Sequence, residues 1–531
     1  MKLKILSLFI PLIFTLASCD FSPKQNSGEQ TDTPDTPDVP DNPDAPTPGG
    51  DDNPGGEETP ADDPMKITEP YEKVDASKLL KWDTTQASLR SGTKTLDFYN
   101  LNDTHGAVED IPSNGEPGIS KLSTFLKNQK SKNEAGYVFT SSGDMWQGSA
   151  DSNITMGRLV DEWMEHNECS AMALGNHEFD WTINTIVKND NLTKFDFVCC
   201  NIIDKSKNAP VDWAKPFTTV TKNGVNIGII GAIGEGITGD ILSSYVNGLR
   251  FDKIDNYVTN WSNYLKSNGA DVVLLLLHSP VADASDLVRN KVVDAVFGGH
   301  SHQEEHTNYN GIHSIQSSCN GKMVGHISLS YNFATNLVTS ITGENFNMAN
   351  YSLTKDEATE TIYNRYLENE INEIKNEIVG YTSKTISRTE VLQLLLEFMY
   401  KFYQEEIHDP NYVITRVTHN NARAEIPAGN ITFGNIYKAL PFDNCLVIIK
   451  KQGSKFSYGD YGTHYYPNGS NLDPNKYYYV LTINYIADYE HTDEDYTIEK
   501  RYQNIFMRDI FKKYIPLNSP KNNWFLQCFL F

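Results

Sequence analysis

Positive charge is scarce in this 531-residue chain: 45 lysines and arginines stand against 69 aspartates and glutamates, for a net charge of −24. So acidic a molecule repels a phosphate backbone or an anionic lipid face, which argues against DNA or RNA as partners. Cysteine is scarce too, with seven residues and no CxxC pair. Cys169, Cys199, Cys200, Cys319, Cys445 and Cys528 are scattered. Neither a zinc ribbon nor a disulfide framework fits that spacing, and isolated buried thiols do. Long apolar runs are also missing. The run from Ile5 to Leu16 falls short of the roughly 20 residues a membrane-spanning helix needs.

Hydrophobic residues make up 39% and aromatics 11% of the chain, enough for substantial cores. The length predicts two folded domains with appendages. Lys2 and Lys4 precede the short apolar run, as in a signal peptide over residues 1–18. Leu16-Ala17-Ser18-Cys19 resembles the bacterial lipobox. The resemblance implies cleavage before Cys19, a diacylglycerol on its sulfur, and export to a lipid-anchored position on the cell envelope or surface. Acyl chains hold a protein at a membrane without any protein span. Residues 19–90 read as an acidic, Pro/Gly-rich disordered linker. Between Asp20 and Pro64 it carries thirteen acidic residues and one lysine, and proline and like charge extend such a segment into a stalk.

From about Thr95 short apolar runs alternate with amphipathic segments, the texture of an α/β layered domain. Five of the runs end in metal-ligating side chains. Leu96–Leu101 leads to Asp103 and His105, Tyr137–Thr140 to Asp144, and Ser170–Leu174 to Asn176 and His177. Val272–Leu277 leads to His278, and Val292–Phe297 to His300 and His302. Ligands in open α/β folds bind beyond the carboxyl ends of strands, so these five tips can meet in one crevice. Carboxylates, an amide carbonyl and neutral imidazoles suit divalent zinc, manganese, iron or cobalt.

The ordered set DxH, GD, GNHE, lone His, GHxH resembles the calcineurin-like metallophosphoesterase superfamily, and Asn-His-Glu-Phe-Asp ending at Asp180 is the form seen in its 5'-nucleotidase branch. The resemblance implies a four-layer αββα sandwich as catalytic domain over 91–350, holding two divalent metal ions. It implies Asp103, His105, Asp144 and His302 on one ion. Asp144 would bridge to a second ion held by Asn176, His278 and His300. His177 would be the catalytic histidine, oriented by Asp180.

Leu367, Ile371, Ile374 and Ile378 fall at helical spacing and predict one amphipathic connector helix within 351–385. Beyond it, Gly429–Tyr437 and Leu440–Asn444 resemble the C-terminal domain of 5'-nucleotidases, implying a smaller α/β substrate-binding domain over 386–531. By that resemblance Arg423 grips substrate phosphate, Phe442 and Tyr485 sandwich a nucleobase, and Arg388 is a further substrate contact. This half departs from the family. Its GGDGY-like turn is replaced by Asp488–Tyr496, and the glycines before its arginine by His419-Asn420-Asn421. The apolar Trp524–Phe531 reads as a buried last strand. The implied substrate is a small phosphorylated molecule, a nucleoside 5'-phosphate first. A cyclic nucleotide, nucleotide sugar or other phosphoester, or a non-catalytic binding lipoprotein of the same fold, stand as alternatives.

Overall fold

The computed structural model describes residues 65–407, 413–417, 422–456, 464–466, 472–489 and 496–515. The signal peptide with Cys19, the linker up to residue 64, His419–Asn421, most of the 488–496 turn and the apolar terminus lie outside the described residues.

Twelve strands build the two main sheets of the N-terminal domain: β1 (Thr93–Leu101), β2 (Tyr137–Ser141), β3 (Cys169–Ala173), β4 (Asp196–Val198), β5 (Phe217–Lys222), β6 (Val225–Ile233), β7 (Val272–His278), β8 (Ala295–Phe297), β9 (Glu304–Tyr309), β10 (Ile312–Ser317), β11 (Met323–Asn332) and β12 (Leu337–Asn347). They form two six-stranded sheets, in the orders β12-β11-β1-β2-β3-β4 and β9-β10-β8-β7-β6-β5. Within the first, β1 to β4 run parallel. Within the second, β6, β7, β8 and β10 do.

The period-2 alternation of side chains explains why the sheets stack. On β1, Leu96 and Phe98 face the other sheet, as do Val225, Ile227 and Ile229 of β6 and Val272, Leu274 and Leu276 of β7. The intervening residues face outward. Tyr99, Leu101 and Phe139 pack under helices Gly118–Lys130, Arg158–His166 and Thr182–Leu192 through Phe125, Trp163 and Ile186. Ile230, Val273, Leu275 and Leu277 pack under helix Ile254–Ser267 through Val258 and Leu265. Helices cover both outer faces, so the layers are αββα, as the resemblance implies.

The linker expectation needs correction at its C-terminal end. Residues 65–90 are strapped to the domain rather than free. Met65 and Ile67 pack on the first helical layer, and Leu79 and Leu80 pack on the second. Lys81 and Asp83 donate their backbone N–H groups to Thr219 and Thr221 on β5, and Trp82 Nε1 donates to the Asn268 carbonyl at 2.8 Å. Apolar side chains at these positions gain enough by burial to offset the cost of ordering the segment.

The connector also differs from the single regular helix expected. Helix Glu357–Tyr366 passes through a π turn at Leu367–Ile371 into a last turn, Asn372–Lys375. Ile371 is fully buried, but Ile374 is 40% and Ile378 55% exposed. The wider turn inserts extra backbone, so the apolar stripe loses register after Ile371. Ile378 instead opens the strand Ile378–Thr382, paired with Gly429–Thr432. The C-terminal domain has a five-stranded sheet in the order 464–466, 413–417, 477–483, 445–452, 496–506. Its core includes Leu395 and Met399 of helix Arg388–Phe402, Leu446, Leu481 and Phe511. Among the described residues, no helix is long and apolar enough to cross a membrane.

Replacing Leu79 and Leu80 with serine is expected to lower unfolding free energy by about 1–3 kcal/mol, since both half-bury apolar surface. Chemical denaturation measures it; an unchanged midpoint would restore the linker reading for this stretch.

Candidate metal and active site

Parallel pairing brings the carboxyl ends of β1, β2 and β3 to one edge of the first sheet, and those of β7 and β8 to one edge of the second. All five predicted tips meet there. The backbone at the tips is unusual. Asp103 (φ 50°), His105 (48°), Asp144 (55°), His300 (73°) and His302 (58°) all adopt the left-handed region. That conformation is costly for residues with a Cβ and persists only where surrounding contacts hold it. It turns each side chain back over the strand ends. Space is equally tight: a Cβ on Gly175 would come within 2.2 Å of Asp144 Oδ1.

The side chains form two adjoining groups sharing Asp144 as neighbour. In one, His105 Nε2 and His302 Nε2 are 2.9 Å apart, and His302 Nε2 is 3.5 Å from Asp103 Oδ1. In the other, His278 Nε2 lies 3.3 Å from Asp144 Oδ2 and 3.1 Å from Asn176 Oδ1, and His300 Nδ1 lies 3.0 Å from the same Asn176 oxygen. Candidate ligand atoms of Asp103, His105 and His302, and of Asp144, His278 and His300, lie within 4.8 Å of one another.

Hydrogen bonds preset the imidazoles. His278 Nδ1 contacts the Ser142 carbonyl at 2.8 Å and His105 Nδ1 the Gln147 carbonyl at 3.0 Å. A carbonyl accepts only from N–H, so each Nδ1 carries a proton and each Nε2 is the nitrogen turned inward. Burial works against a charge on His278, but Asp144 outweighs it and raises its pKa to about 9, so its Nε2 gives up a proton to serve a cation. Burial, then the neighbouring charge of His177, hold the His105 pKa down to about 3, so this imidazole stays neutral. Asp103 and Asp144 are both buried, and burial pushes Asp103 above the usual carboxylate range. Two buried carboxylates, an amide oxygen and imidazole lone pairs aimed at common points are a donor set that fits divalent cations.

His177 sits at the edge of this cage. Its Nδ1 is 2.7 Å from Asp180 Oδ2, and its backbone N–H donates to Asp144 Oδ1 at 2.8 Å. Burial works against a charge on His177, but Asp180 and then Asp144 outweigh it and raise its pKa to about 10. Glu178, to which the sequence reading gave no role, is fully buried. Its carboxylate accepts from the N–H groups of Asp144 (2.9 Å), Met145 (2.9 Å) and Gly175 (2.7 Å). It ties the β2 and β3 tips together; the signal was the closing Glu of Gly175-Asn176-His177-Glu178.

The C-terminal domain closes the opposite wall. A cavity of about 270 Å³ is lined on one side by Asp144, Asn176, His177, Asp180, His300 and His302, and on the other by Arg423, Phe442 and Tyr485. The Arg423 guanidinium lies 5.1 Å from the Phe442 ring centre, and the His177 and Phe442 rings are 6.3 Å apart and nearly parallel. The residues flanking Phe442 are fastened to the N-terminal domain. The Pro441 carbonyl accepts from Gln147 Nε2 (3.0 Å) and Asn153 Nδ2 (3.1 Å), and Asp443 accepts from Trp181 Nε1 (2.9 Å). Arg388 does not line the cavity. It donates to the Ala422 carbonyl at 2.9 Å, and its charge, after desolvation, lowers the pKa of Arg423. Asp103 and His105 lie behind the cavity lining, in the cage itself.

The calcineurin-like phosphoesterase family profile matches residues 96–304. A 5'-nucleotidase-related protein of Glossina morsitans morsitans is 26% identical over 46% of this chain and 50% of its own. The snake venom 5'-nucleotidase of Crotalus adamanteus is 24% identical over 64% of this chain and 61% of its own. The chain thus spans between half and about three-fifths of the length of these relatives. The crystal structure of a 5'-nucleotidase precursor from Thermus thermophilus superposes with a TM-score of 0.63 at 20% identity, covering 80% of this chain and 96% of that one. Residues 96–304 therefore form a calcineurin-like phosphoesterase domain, a fold that implies divalent metal ions. The solved structure shares the two-domain fold of this chain.

Glu178→Gln replaces one accepting oxygen with an N–H₂ group facing backbone donors. It is expected to cost about 1–3 kcal/mol of stability and to lower bound metal, read by denaturation and elemental analysis. Wild-type values for both would remove Glu178 as the brace of the two tips.

Proposed function

We propose that this chain hydrolyses phosphomonoesters, with nucleoside 5'-phosphates as the substrate class. The observation that carries it is the facing of two walls across one cavity: the ligand cage with His177 and Asp180, and Arg423 with Phe442 and Tyr485. In this reading Asp103, His105, Asp144 and His302 hold one divalent ion and Asp144, Asn176, His278 and His300 the other. Zinc, manganese, iron or cobalt suit those donors. Such a pair of ions supplies Lewis acidity toward a phosphoryl oxygen and a hydroxide nucleophile at neutral pH.

The chain's own groups do the rest. His177, held at Nδ1 by Asp180, turns its other ring nitrogen to the cavity, where an N–H stabilises charge gathering on the phosphoryl oxygens. Arg423 offers two N–H groups to the phosphate, a bidentate contact that also relieves its repulsion with Arg388. Phe442 and Tyr485 present aromatic faces to a base. The cavity walls keep these donors in place before substrate arrives, so little reorganisation is needed at the moment of reaction. The Leu16–Cys19 motif supports export and attachment to a membrane surface through Cys19.

Phosphate release from AMP by the metal-loaded protein tests this reading; no release from any nucleotide or aryl phosphate would sink it. His177→Asn is expected to lower kcat by about 10²–10⁴-fold with metal content unchanged. Phe442→Ala is expected to raise KM for AMP about fivefold or more and to leave KM for a small aryl phosphate nearly unchanged. Equal effects on both substrates would remove base stacking from the account.

A further inference from the structure

Five strand tips carry ligand motifs in the sequence; the structure brings a sixth to the same edge. Strand β6 runs parallel to β7, with Ile233 level with His278. The N–H of Gly234, just past its end, donates to the His278 carbonyl at 3.1 Å. The chain then makes the short turn Glu235–Asp240, and Gly239, Asp240, Ile241 and Leu242 line the cavity.

Asp240 is aimed at a ligand. Its Oδ2 lies 3.4 Å from Nε2 of His300, while the opposite nitrogen of that ring, Nδ1, faces Asn176 Oδ1 at 3.0 Å. The His300 ring is therefore spanned by an inward-facing and an outward-facing contact. His278 and His105 have their outer nitrogens held by backbone carbonyls. For His300 the carboxylate of Asp240 occupies the corresponding place. A carboxylate on the outer nitrogen fixes the ring's tautomer and keeps the inner lone pair aimed at the ion. Such contacts are often long in an unliganded site and shorten in the complex.

We propose that Asp240 is a positioning residue for His300: it holds the proton on Nε2 so that Nδ1 serves the ion shared with Asn176, His278 and Asp144. This rests on the dimetal reading above. Because Asp240 belongs to a turn that also lines the substrate cavity, it ties the grip on that ion to the shape of the pocket. Its side chain is 35% exposed, so substitution leaves the cores intact.

Calorimetric titration of the chelator-stripped full chain with Mn²⁺ or Zn²⁺ tests it. Wild type is expected to take two ions. Asp240→Ala is expected to bind one of them about 10–100-fold more weakly and the other as before. Asp240→Asn, which keeps an acceptor oxygen but not the charge, is expected to fall between them. At saturating metal, kcat for an aryl phosphate should return to near the wild-type value in both variants, because Asp240 acts through His300. Two ions bound by Asp240→Ala with wild-type affinity would overturn the proposal while leaving the dimetal reading standing. A KM defect that persists at saturating metal would overturn it too, by making Asp240 a substrate contact. Fewer than two ions on wild type would overturn the dimetal reading itself.

Discussion

Asp144 is the point on which the arrangement turns. It is buried, in the left-handed backbone region, with one oxygen 2.8 Å from the His177 N–H and the other 3.3 Å from His278. Behind it Glu178 holds its backbone N–H. A carboxylate taken out of water is costly unless paired or bound to metal. Here a second buried carboxylate, Asp103, is brought to the same edge. Charge from His177, whose pKa is raised to about 10, balances only part of this, and the neutral His105 ring offers a lone pair. The strain at five residues on three of the tips and the burial of two acids make sense together as the frame of a cation site.

That frame determines where the second domain can act. Phe442 lies between two residues that are both tied across the interface: Pro441 by Gln147 and Asn153, Asp443 by Trp181. Arg508 adds a salt bridge to Asp443 and donates to the Leu440 and Pro441 carbonyls from within the C-terminal domain. The loop is thus pinned from both sides, and the aromatic wall keeps its spacing to His177. Lys375 at the end of the connector adds ion pairs to Glu109 and Asp151 of the N-terminal domain. The buried partner, Asp151, also accepts from Tyr363 at 2.6 Å, so the connector is pinned by side chains as well as by the chain itself.

The strap over residues 65–90 and the π turn in the connector share a cause. In both, tertiary packing overrode a pattern judged from composition or spacing. Acidic, proline-rich sequence ends near Pro64, and the apolar side chains after it find two separate hydrophobic surfaces. In the connector one extra residue in the turn moves Ile374 out of the buried face.

By itself the sequence determined the layered α/β class, the order of the strand tips and the ligand types at five of them. Each is a local signal: an apolar run of strand length followed at once by Asp, Asn or His. It also marked His177, Asp180, Phe442 and Arg423, all of which line or border one cavity in the folded chain. Only the tertiary structure decided the rest. Asp240 comes seven residues after its strand ends, too far for a local motif, and finds His300 only because β6 pairs with β7. Arg388 carries a family-like motif yet turns to the Ala422 carbonyl rather than to the cavity. Which nitrogen of His105 and His278 faces inward depends on carbonyls 42 and 136 residues away in the chain. A contact between distant segments is set by how the strands pair and stack, and no short stretch of residues contains that information.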